Sequence, residues 1–215
     1  MLRINELDNA IDYLEKASFH YNNREDKYWF KWLTISLHGA LYGFGVCAVQ
    51  GSSASLRVLK TPGKKKINEF LSSLGALYLT PDDPYPNDHL AVLADEHALA
   101  LMQRLAESDL NGIGTILTKC EDPAFMMQNT ESKVLKKTEI QNKAIEKLKK
   151  YRDDFAHFKP KGLTIITETE DWMIDEVVEV IRFLALESNN VTYYNLDYKL
   201  KVEKLIGTFK ITKVK

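Results

Sequence analysis

Three side chains suited to proton transfer and phosphate binding lie close together in the sequence, at Arg152, Asp153 and His157. A histidine can act as a general acid or base near neutral pH, and an arginine can bind two oxygens of a phosphodiester. Asp153 and His157 are four residues apart, so on an α-helix they share one face, one turn apart. From there, Asp153 could orient the imidazole by a hydrogen bond. We therefore predict a catalytic group of Arg152, His157 and Asp153 that acts on phosphodiesters.

A long amphipathic helix is predicted to position these residues, over 131–158 and most clearly from residue 139 onward. Its apolar residues recur at spacings of three and four and so define one buried face. Pro160 cannot continue the helix, so His157 lies near the carboxyl end, where the helix dipole favours the imidazolium. The residues predicted for the buried face are Ile140, Ala144, Leu148, Tyr151, Phe155 and Phe158.

The six residues RDDFAH, set in a helix of a largely helical chain, resemble the Arg-x4-6-His signature of the HEPN superfamily. The resemblance implies an all-α fold, and it implies either metal-independent cleavage of RNA or one of the family's many non-catalytic roles. It also implies RNA as the partner of an active member, and a homodimer, because family members commonly build one composite groove from two subunits. In this family the motif helix continues beyond its histidine, whereas here Pro160 follows His157 closely.

A non-catalytic interpretation of the same residues remains open. Arg152 can form a surface ion pair with Asp153 or Asp154, and His157 can simply be a favourable residue near a helix end. The alternative function is then a helical module that binds a nucleotide or another protein. The two functions differ in exposure, because an enzyme needs Arg152 and His157 to be open to a groove.

Composition narrows the class of protein and the compartment. The chain has 215 residues, of which 45% are hydrophobic and 27% charged, with a net charge of -1. These values are typical of a soluble globular protein, and no overall positive field draws the chain to nucleic acid, so any RNA contact must be local. Cys47 and Cys120 show neither metal-binding spacing nor a disulfide framework. We therefore expect a cytoplasmic protein without metal or cofactor, and the N-terminal residues lack a signal-peptide core.

The fold class predicted from these patterns is mainly all-α, a bundle of about six helices with one or two short extended or β segments. The resemblance implies that this bundle is HEPN-like. We expect a single domain over 1–215, with a bundle core at about 4–158 and a C-terminal helical extension at about 163–215. Residues 111–129 are expected to form a loop with a short helix. Residues 163–167 are expected to form a strand or an extended link, and residues 191–194 to be extended or a turn. The other helices are predicted at 4–22, 24–50, 67–79, 89–108, 170–187 and 197–206.

The apolar run 32–49 is long enough to span a membrane, but His38 and two hydroxyl residues interrupt it. We predict instead a central bundle helix in which Gly39 and Gly43 allow a neighbouring helix to approach closely. His38 is expected to be a hydrogen-bonded core histidine, since buried polar groups are usually paired.

Three other segments carry charged or aromatic residues that could have a function. The basic stretch 56–66 is interpreted as a solvated loop, with a phosphate-contacting patch as the alternative. The sequence Asp-Glu-His at 95–97 is not interpreted as a metal site, because no second histidine follows one helical turn later. Four aromatic residues are expected to be exposed and to contribute to a dimer interface: Tyr28, Trp29, Tyr193 and Tyr194.

Overall fold

The computed structural model of the protein describes residues 4–51, 55–60, 110–157, 162 and 164–209. These residues contain seven α-helices and no β-strand, so the prediction of a mainly all-α fold is confirmed. Short 3-10 helices lie at Ser55–Val58 and Thr167–Thr169, and a π-helical turn lies at Phe183–Glu187. The α-helices are α1 (Glu6–Asn22), α2 (Trp29–Gln50), α3 (Ile113–Cys120), α4 (Pro123–Met126), α5 (Glu139–Ala156), α6 (Asp171–Arg182) and α7 (Leu196–Ile206).

The chain forms two compact units, one of residues 1–53 with 113–215 and the other of residues 54–112. In the first unit, α2 packs against α1, α3, α5 and α6, while α7 packs against α1. The helices of the predicted C-terminal extension therefore pack directly on those of the predicted core. In the second unit, Leu59 and Leu110 form an antiparallel bridge, and the Asn111 amide donates to the carbonyls of Val58 and Leu59.

Helix α1 begins where the Asn5 side chain accepts a hydrogen bond from the Asp8 backbone at 2.8 Å and thereby satisfies an otherwise unpaired donor. Ile4 precedes this cap and is 54% exposed, so the helix begins later than the predicted start at residue 4. The helix buries a stripe at spacings of three and four, which confirms the predicted period. Its buried apolar residues are Leu7, Ala10, Ile11, Leu14, Ala17 and Tyr21.

Helices α1 and α2 approach closely at the two glycines that the sequence singled out. A Cβ atom at Gly43 would lie 2.7 Å from the Cβ of Ala10, and one at Gly39 would lie 2.5 Å from the Tyr13 ring. Both distances are far below van der Waals contact, so only glycine allows this approach. The predicted role of the glycines is confirmed.

Helix α2 begins at Trp29 rather than near residue 24, because residues 24–28 form turns. There the Asp26 carboxylate accepts a hydrogen bond from the Tyr28 backbone. Trp29 is only 8% exposed, and the half-buried Tyr193 donates its hydroxyl to the Ala185 carbonyl. The expectation that these two are exposed interface aromatics was therefore wrong, whereas Tyr28 and Tyr194 are exposed.

Among the described helices, α2 is long and apolar enough to cross a membrane by length and composition. In its most apolar stretch 72% of the residues are buried inside the protein, as they are in a core helix. It also carries Cys47, which is buried and free, as is Cys120 on α3. Burial raises the pKa of both thiols to about 12.

Helix α5 begins later than residue 131, with Thr138 and Gln141 forming a reciprocal capping box. Before it, the backbone amides of Lys133 and Leu135 donate to carbonyls elsewhere in the first unit, so these residues are not helical. Ala144, Ile145 and Leu148 are buried, and Tyr151 and Phe155 are half-buried. Ile140 is 46% exposed, contrary to prediction, because it lies in the first turn, before the buried part of the helix begins.

The C-terminal part follows the sequence prediction closely. Helix α6 buries Ile174, Val177 and Ile181, and the π-helical turn extends it to Glu187. The described residues in 164–166 and 191–194 belong to no helix or strand, so the first of these segments is a link and not a strand, and Thr167 begins a 3-10 helix. Residues 111–129 contain two helices, α3 and α4, so the prediction of a loop with one short helix was incomplete.

Several predicted segments fall wholly or partly outside the described residues. They are the helices at 67–79 and 89–108, the sequence Asp-Glu-His at 95–97, the basic stretch 56–66 beyond Lys60, and Phe158 at the end of the helix predicted at 131–158.

Candidate functional site

Arg152 lies near the end of α5, and its guanidinium reaches across to α2. Its Nη2 lies 3.3 Å from Nε2 of His38, and its Nη1 lies 3.1 Å from Oδ1 of Asp153. The arginine side chain is 34% exposed and the aspartate side chain 48% exposed. The guanidinium is therefore fixed on two sides while part of it still faces solvent.

His38 is buried, with 8% of its surface exposed. Burial, followed by the facing charge of Arg152, lowers the pKa of His38 from 6.5 to about 4; Asp153 raises it and Lys149 lowers it further. The imidazole is thus neutral near pH 7. Because a guanidinium can only donate, Nε2 of His38 accepts from Arg152 and the ring proton is on Nδ1.

Sequence reasoning expected His38 to be a hydrogen-bonded core histidine and did not connect it with the motif. The residue is buried and hydrogen-bonded, but its partner is the arginine of that motif. The two residues are 114 positions apart in the chain, and no local pattern relates them. The only signal in the sequence was a titratable residue in the middle of an apolar helix.

His157 is the C-cap of α5 and has an extended backbone with φ -104° and ψ 129°. Its backbone amide donates to the carbonyl of Asp153 at 3.1 Å, and the residue is exposed. In the described part of the chain, no hydrogen bond joins its ring to the Asp153 carboxylate, which pairs with Arg152 instead. Helix α5 thus brings Arg152 and Asp153 into contact and places His157 beside them at the helix end.

The hydrogen-bonding capacity of Arg152 is only partly used. A guanidinium has five N–H donors, and the contacts to His38 and Asp153 involve one on each Nη atom. Nε is buried and has no hydrogen-bond partner among the described residues. The second N–H of each Nη atom is the group with which Arg152 could hold two oxygens of an anion.

Aromatic rings hold the end of α5 against α2. The ring of Phe30 on α2 meets Tyr151 edge to face at a centroid distance of 5.2 Å, and Tyr151 stacks on Phe155 at 6.2 Å. Such pairs contribute about 1 kcal/mol each beyond the burial of their area. They fix the backbone on either side of Arg152.

A second polar cluster lies further back on α5, around Lys147. Its Nζ lies 2.8 Å from Oε1 and 2.6 Å from Oε2 of Glu170, the residue before α6. The Glu170 side chain is only 6% exposed. Burial, followed by a hydrogen bond to Glu170 and the charge of that residue, raises the pKa of Tyr151 to about 12. This cluster fixes α5 to α6.

In the ranges that the structure describes, no group of three or more His, Cys, Asp or Glu side chains could hold a metal ion. A cavity of about 900 Å³ lies at the end of α1 and does not include Arg152 or His157. Arg24 in that cavity is paired with Asp171 at 2.8 Å. The candidate site at the end of α5 is therefore defined by its side chains, and neither a metal-binding group nor this cavity supports it.

Comparison with known proteins gives no further indication of function. No protein-family model matches the chain, and neither a curated protein nor a solved structure matches it.

Proposed function

We propose that this protein is a HEPN-like, metal-independent endoribonuclease in which His157 moves protons and Arg152 binds the scissile phosphate. The observation that supports the proposal best is the guanidinium of Arg152, which is held by His38 and Asp153 while its side chain remains 34% exposed. An exposed imidazole follows at the end of the same helix.

In the proposed reaction, the 2′-hydroxyl of RNA attacks the adjacent phosphorus while the bond to the 5′-oxygen breaks. His157 either takes the proton of the 2′-hydroxyl or gives a proton to the leaving 5′-oxygen. Arg152 stabilises the extra negative charge on the phosphate oxygens. The products are a 2′,3′-cyclic phosphate and a free 5′-hydroxyl.

His38 and Asp153 have supporting roles in this proposal. Because His38 is neutral, it fixes Nη2 of Arg152 without placing a second positive charge beside it. Asp153 fixes Nη1 but also neutralises part of the guanidinium charge, and this lowers the attraction for phosphate. The first contact aids phosphate binding, and the second limits it.

We further propose that the active form is a cytoplasmic homodimer in which two copies place their α5 ends together. The proposal of a dimer rests on the resemblance of RDDFAH to the family motif. A second copy of the chain would supply the second proton-transferring group that a concerted cleavage needs.

A non-catalytic helical module is the second candidate, and the internal contacts of Arg152 favour it. Arg152 joins α5 to α2 through His38 and pairs with its neighbour Asp153, which is also what a purely structural arginine does. In addition, α5 ends at Ala156, so His157 follows the helix rather than lying within it.

The experiment that separates the two functions measures cleavage of a mixed RNA pool by purified protein, with and without chelator. We expect wild type to cleave in both conditions, and His157→Ala to lose about 100-fold or more of the rate while keeping its melting temperature. His20→Ala, a change on α1 away from the motif, should cleave as wild type does.

The arginine has a matched control on α6. Arg182 is also 34% exposed and is also ion-paired, to Glu179 and Glu187. Arg152→Lys should lose cleavage, because an ammonium cannot present the planar fork, whereas Arg182→Lys should not. Equal cleavage by wild type and His157→Ala, or none by either, would assign the site to the non-catalytic module.

A further inference from the structure

An exposed surface of alternating lysines and aromatic rings lies at the start of α2. It consists of Lys27, Tyr28, Lys31 and Trp32, and we call it the lysine-aromatic surface. Tyr28 is 55% and Trp32 45% exposed. The Nζ of Lys27 lies 5.3 Å from the centroid of the Tyr28 ring, and that of Lys31 lies 4.9 Å from the Trp32 ring.

The two rings are neighbours on one side of the helix. The backbone amide of Trp32 donates to the carbonyl of Tyr28 at 3.1 Å, so the residues are one turn apart, about 6 Å along the axis. The same stripe continues to Gly39, against which the ring of Tyr13 packs. The nearest carboxylate in sequence, Asp26, accepts from the Tyr28 backbone and is thus engaged with the main chain.

We propose that the lysine-aromatic surface binds single-stranded RNA by stacking bases on Tyr28 and Trp32. An exposed ring is a platform for any unpaired base, and each base stacked on an aromatic side chain contributes substantially to binding. Each ammonium lies over one face of its ring, so a base stacks on the opposite face, and the flexible lysine can reach the phosphate of the stacked nucleotide. Because the bases of a duplex are already stacked on each other, the surface selects unpaired strands.

A second aromatic pair lies in the same unit and consists of the exposed Tyr194 and the half-buried Tyr198. The charges around each pair decide which of the two suits RNA. The rings of Tyr194 and Tyr198 lie 5.7 Å apart at the start of α7. Tyr198 lines a cavity in which carboxylates outnumber cations. Asp197 of its own helix and Asp8 and Asp12 of α1 line it, and the charge of Lys201 there is paired with Glu15. Carboxylates repel a polyanion, so we assign RNA to the surface on α2.

The choice of RNA rather than DNA rests on the proposed function. The inference extends that function by naming single-stranded RNA as the substrate. The test uses full-length wild-type protein and single-stranded 2′-O-methyl RNA of about 12 nucleotides. This RNA cannot be cleaved by attack of its own 2′-oxygen, so binding is measured whether or not the protein is a nuclease.

We expect the single strand to quench tryptophan fluorescence by stacking on Trp32. Of the three tryptophans, Trp32 is exposed, Trp29 is buried and Trp172 is half-buried. The matched duplex should not. By fluorescence anisotropy of labelled RNA, Tyr28→Ala and Trp32→Ala should each raise Kd roughly tenfold. Lys31→Gln should lower the slope of log K against log salt by about 0.7. The control, Tyr194→Ala, should bind as wild type does.

Absence of quenching, or equal Kd values for Trp32→Ala and Tyr194→Ala, would overturn the inference. A dimerisation result would also overturn the inference. If the protein binds no RNA, and light scattering shows a dimer that Trp32→Ala dissociates, the surface is occupied by a second copy of the chain. Binding that follows the predicted order, in a protein that does not cleave ordinary RNA, supports the inference and removes the nuclease proposal.

Discussion

Two cationic side chains on helix α5 differ in the partners that face them. Lys147, in the middle of α5, has its ammonium within 2.8 Å of both oxygens of the buried Glu170 carboxylate. Arg152, five residues later, faces a neutral imidazole and a carboxylate that is half exposed. The charge of Lys147 is paired with a buried carboxylate, whereas that of Arg152 is paired only with the half-exposed carboxylate of Asp153.

The difference indicates which cation is structural and which is available to a ligand. A buried carboxylate needs its partner, because an unpaired charge in the interior is strongly unfavourable. An exposed ion pair contributes little, because water can replace either partner. Lys147 therefore belongs to the packing of α5 on α6, whereas Arg152 can exchange Asp153 for a phosphate at small cost.

The largest expected effect concerns the neutral partner of Arg152 and appears on acidification. His38 has a pKa of about 4 in the folded protein and an ordinary 6.5 when unfolded. The unfolded chain thus binds more protons below pH 6.5, and stability falls as the pH falls from about 6.5 to 4. We expect His38 to account for a loss of about 3 kcal/mol across this window.

Urea unfolding at closely spaced pH values measures this loss. In His38→Gln, which keeps an acceptor for Arg152 but cannot titrate, the dependence on pH over this window should shrink by that amount. The charged groups that act on His38 are Arg152, Asp153 and Lys149. An unchanged pH profile in His38→Gln would show that Arg152 does not face a neutral group, and the contrast with Lys147 would fail.

The next effect in size is that of removing the interior pair. Lys147→Met leaves the Glu170 carboxylate buried without its cation, and we expect the free energy of unfolding to fall by about 2 kcal/mol. This lies below the cost for a fully buried pair, since the lysine side chain is 35% exposed. The companion variant Glu170→Gln and the double variant complete a cycle that isolates the interaction energy.

Removing the guanidinium should cost less than removing the ammonium. Arg152→Met deprives His38 of one hydrogen bond and releases Asp153 to water, so we expect a loss of about 1 kcal/mol. It should also raise the pKa of His38, because the facing positive charge is gone, and so narrow the acid-sensitive window. Chemical denaturation of both variants gives the comparison directly, and equal losses would contradict it.

The smallest expected effect is that of Asp153→Asn. The carboxylate is half exposed and neutralises part of the Arg152 charge, so its loss should change stability by about 0.5 kcal/mol or less. If Arg152 binds phosphate, this substitution should leave RNA affinity equal or higher, because the competing charge is removed. A large fall in affinity, measured with 2′-O-methyl RNA, would mean that Asp153 positions the guanidinium instead.

The sequence predicted those parts of the fold that depend on local periodicity and capping. Helices α1, α5 and α6 follow spacings of three and four, and the close approach at Gly39 and Gly43 follows from the residue type. The start of α2 was misplaced because the Asp26 side chain holds the preceding residues in turns. Ile4 and Ile140 fit the apolar period but lie at helix starts, outside the contact with a neighbour.

The candidate site was predictable only along its own helix. The spacing in RDDFAH placed Arg152, Asp153 and His157 at one end of α5, and the ion pair of Arg152 with Asp153 was among the open interpretations. The contact with His38 depends on how α2 packs on α5, and no local rule gives that register. Of the lysine-aromatic surface, only the exposure of Tyr28 was predicted, since side-chain exposure is a property of the packed chain.

Because both cysteines of the first unit are buried, their reactivity depends on local opening of the structure around them. Alkylating reagents react with the thiolate, and burial both raises the pKa of each thiol to about 12 and removes it from solvent. The Cys120 thiol points to the Gly45 carbonyl of α2 at 3.7 Å, so modification requires α3 to separate from α2. The rate at which Cys120 of the native protein is alkylated is therefore set by how often α3 separates from α2.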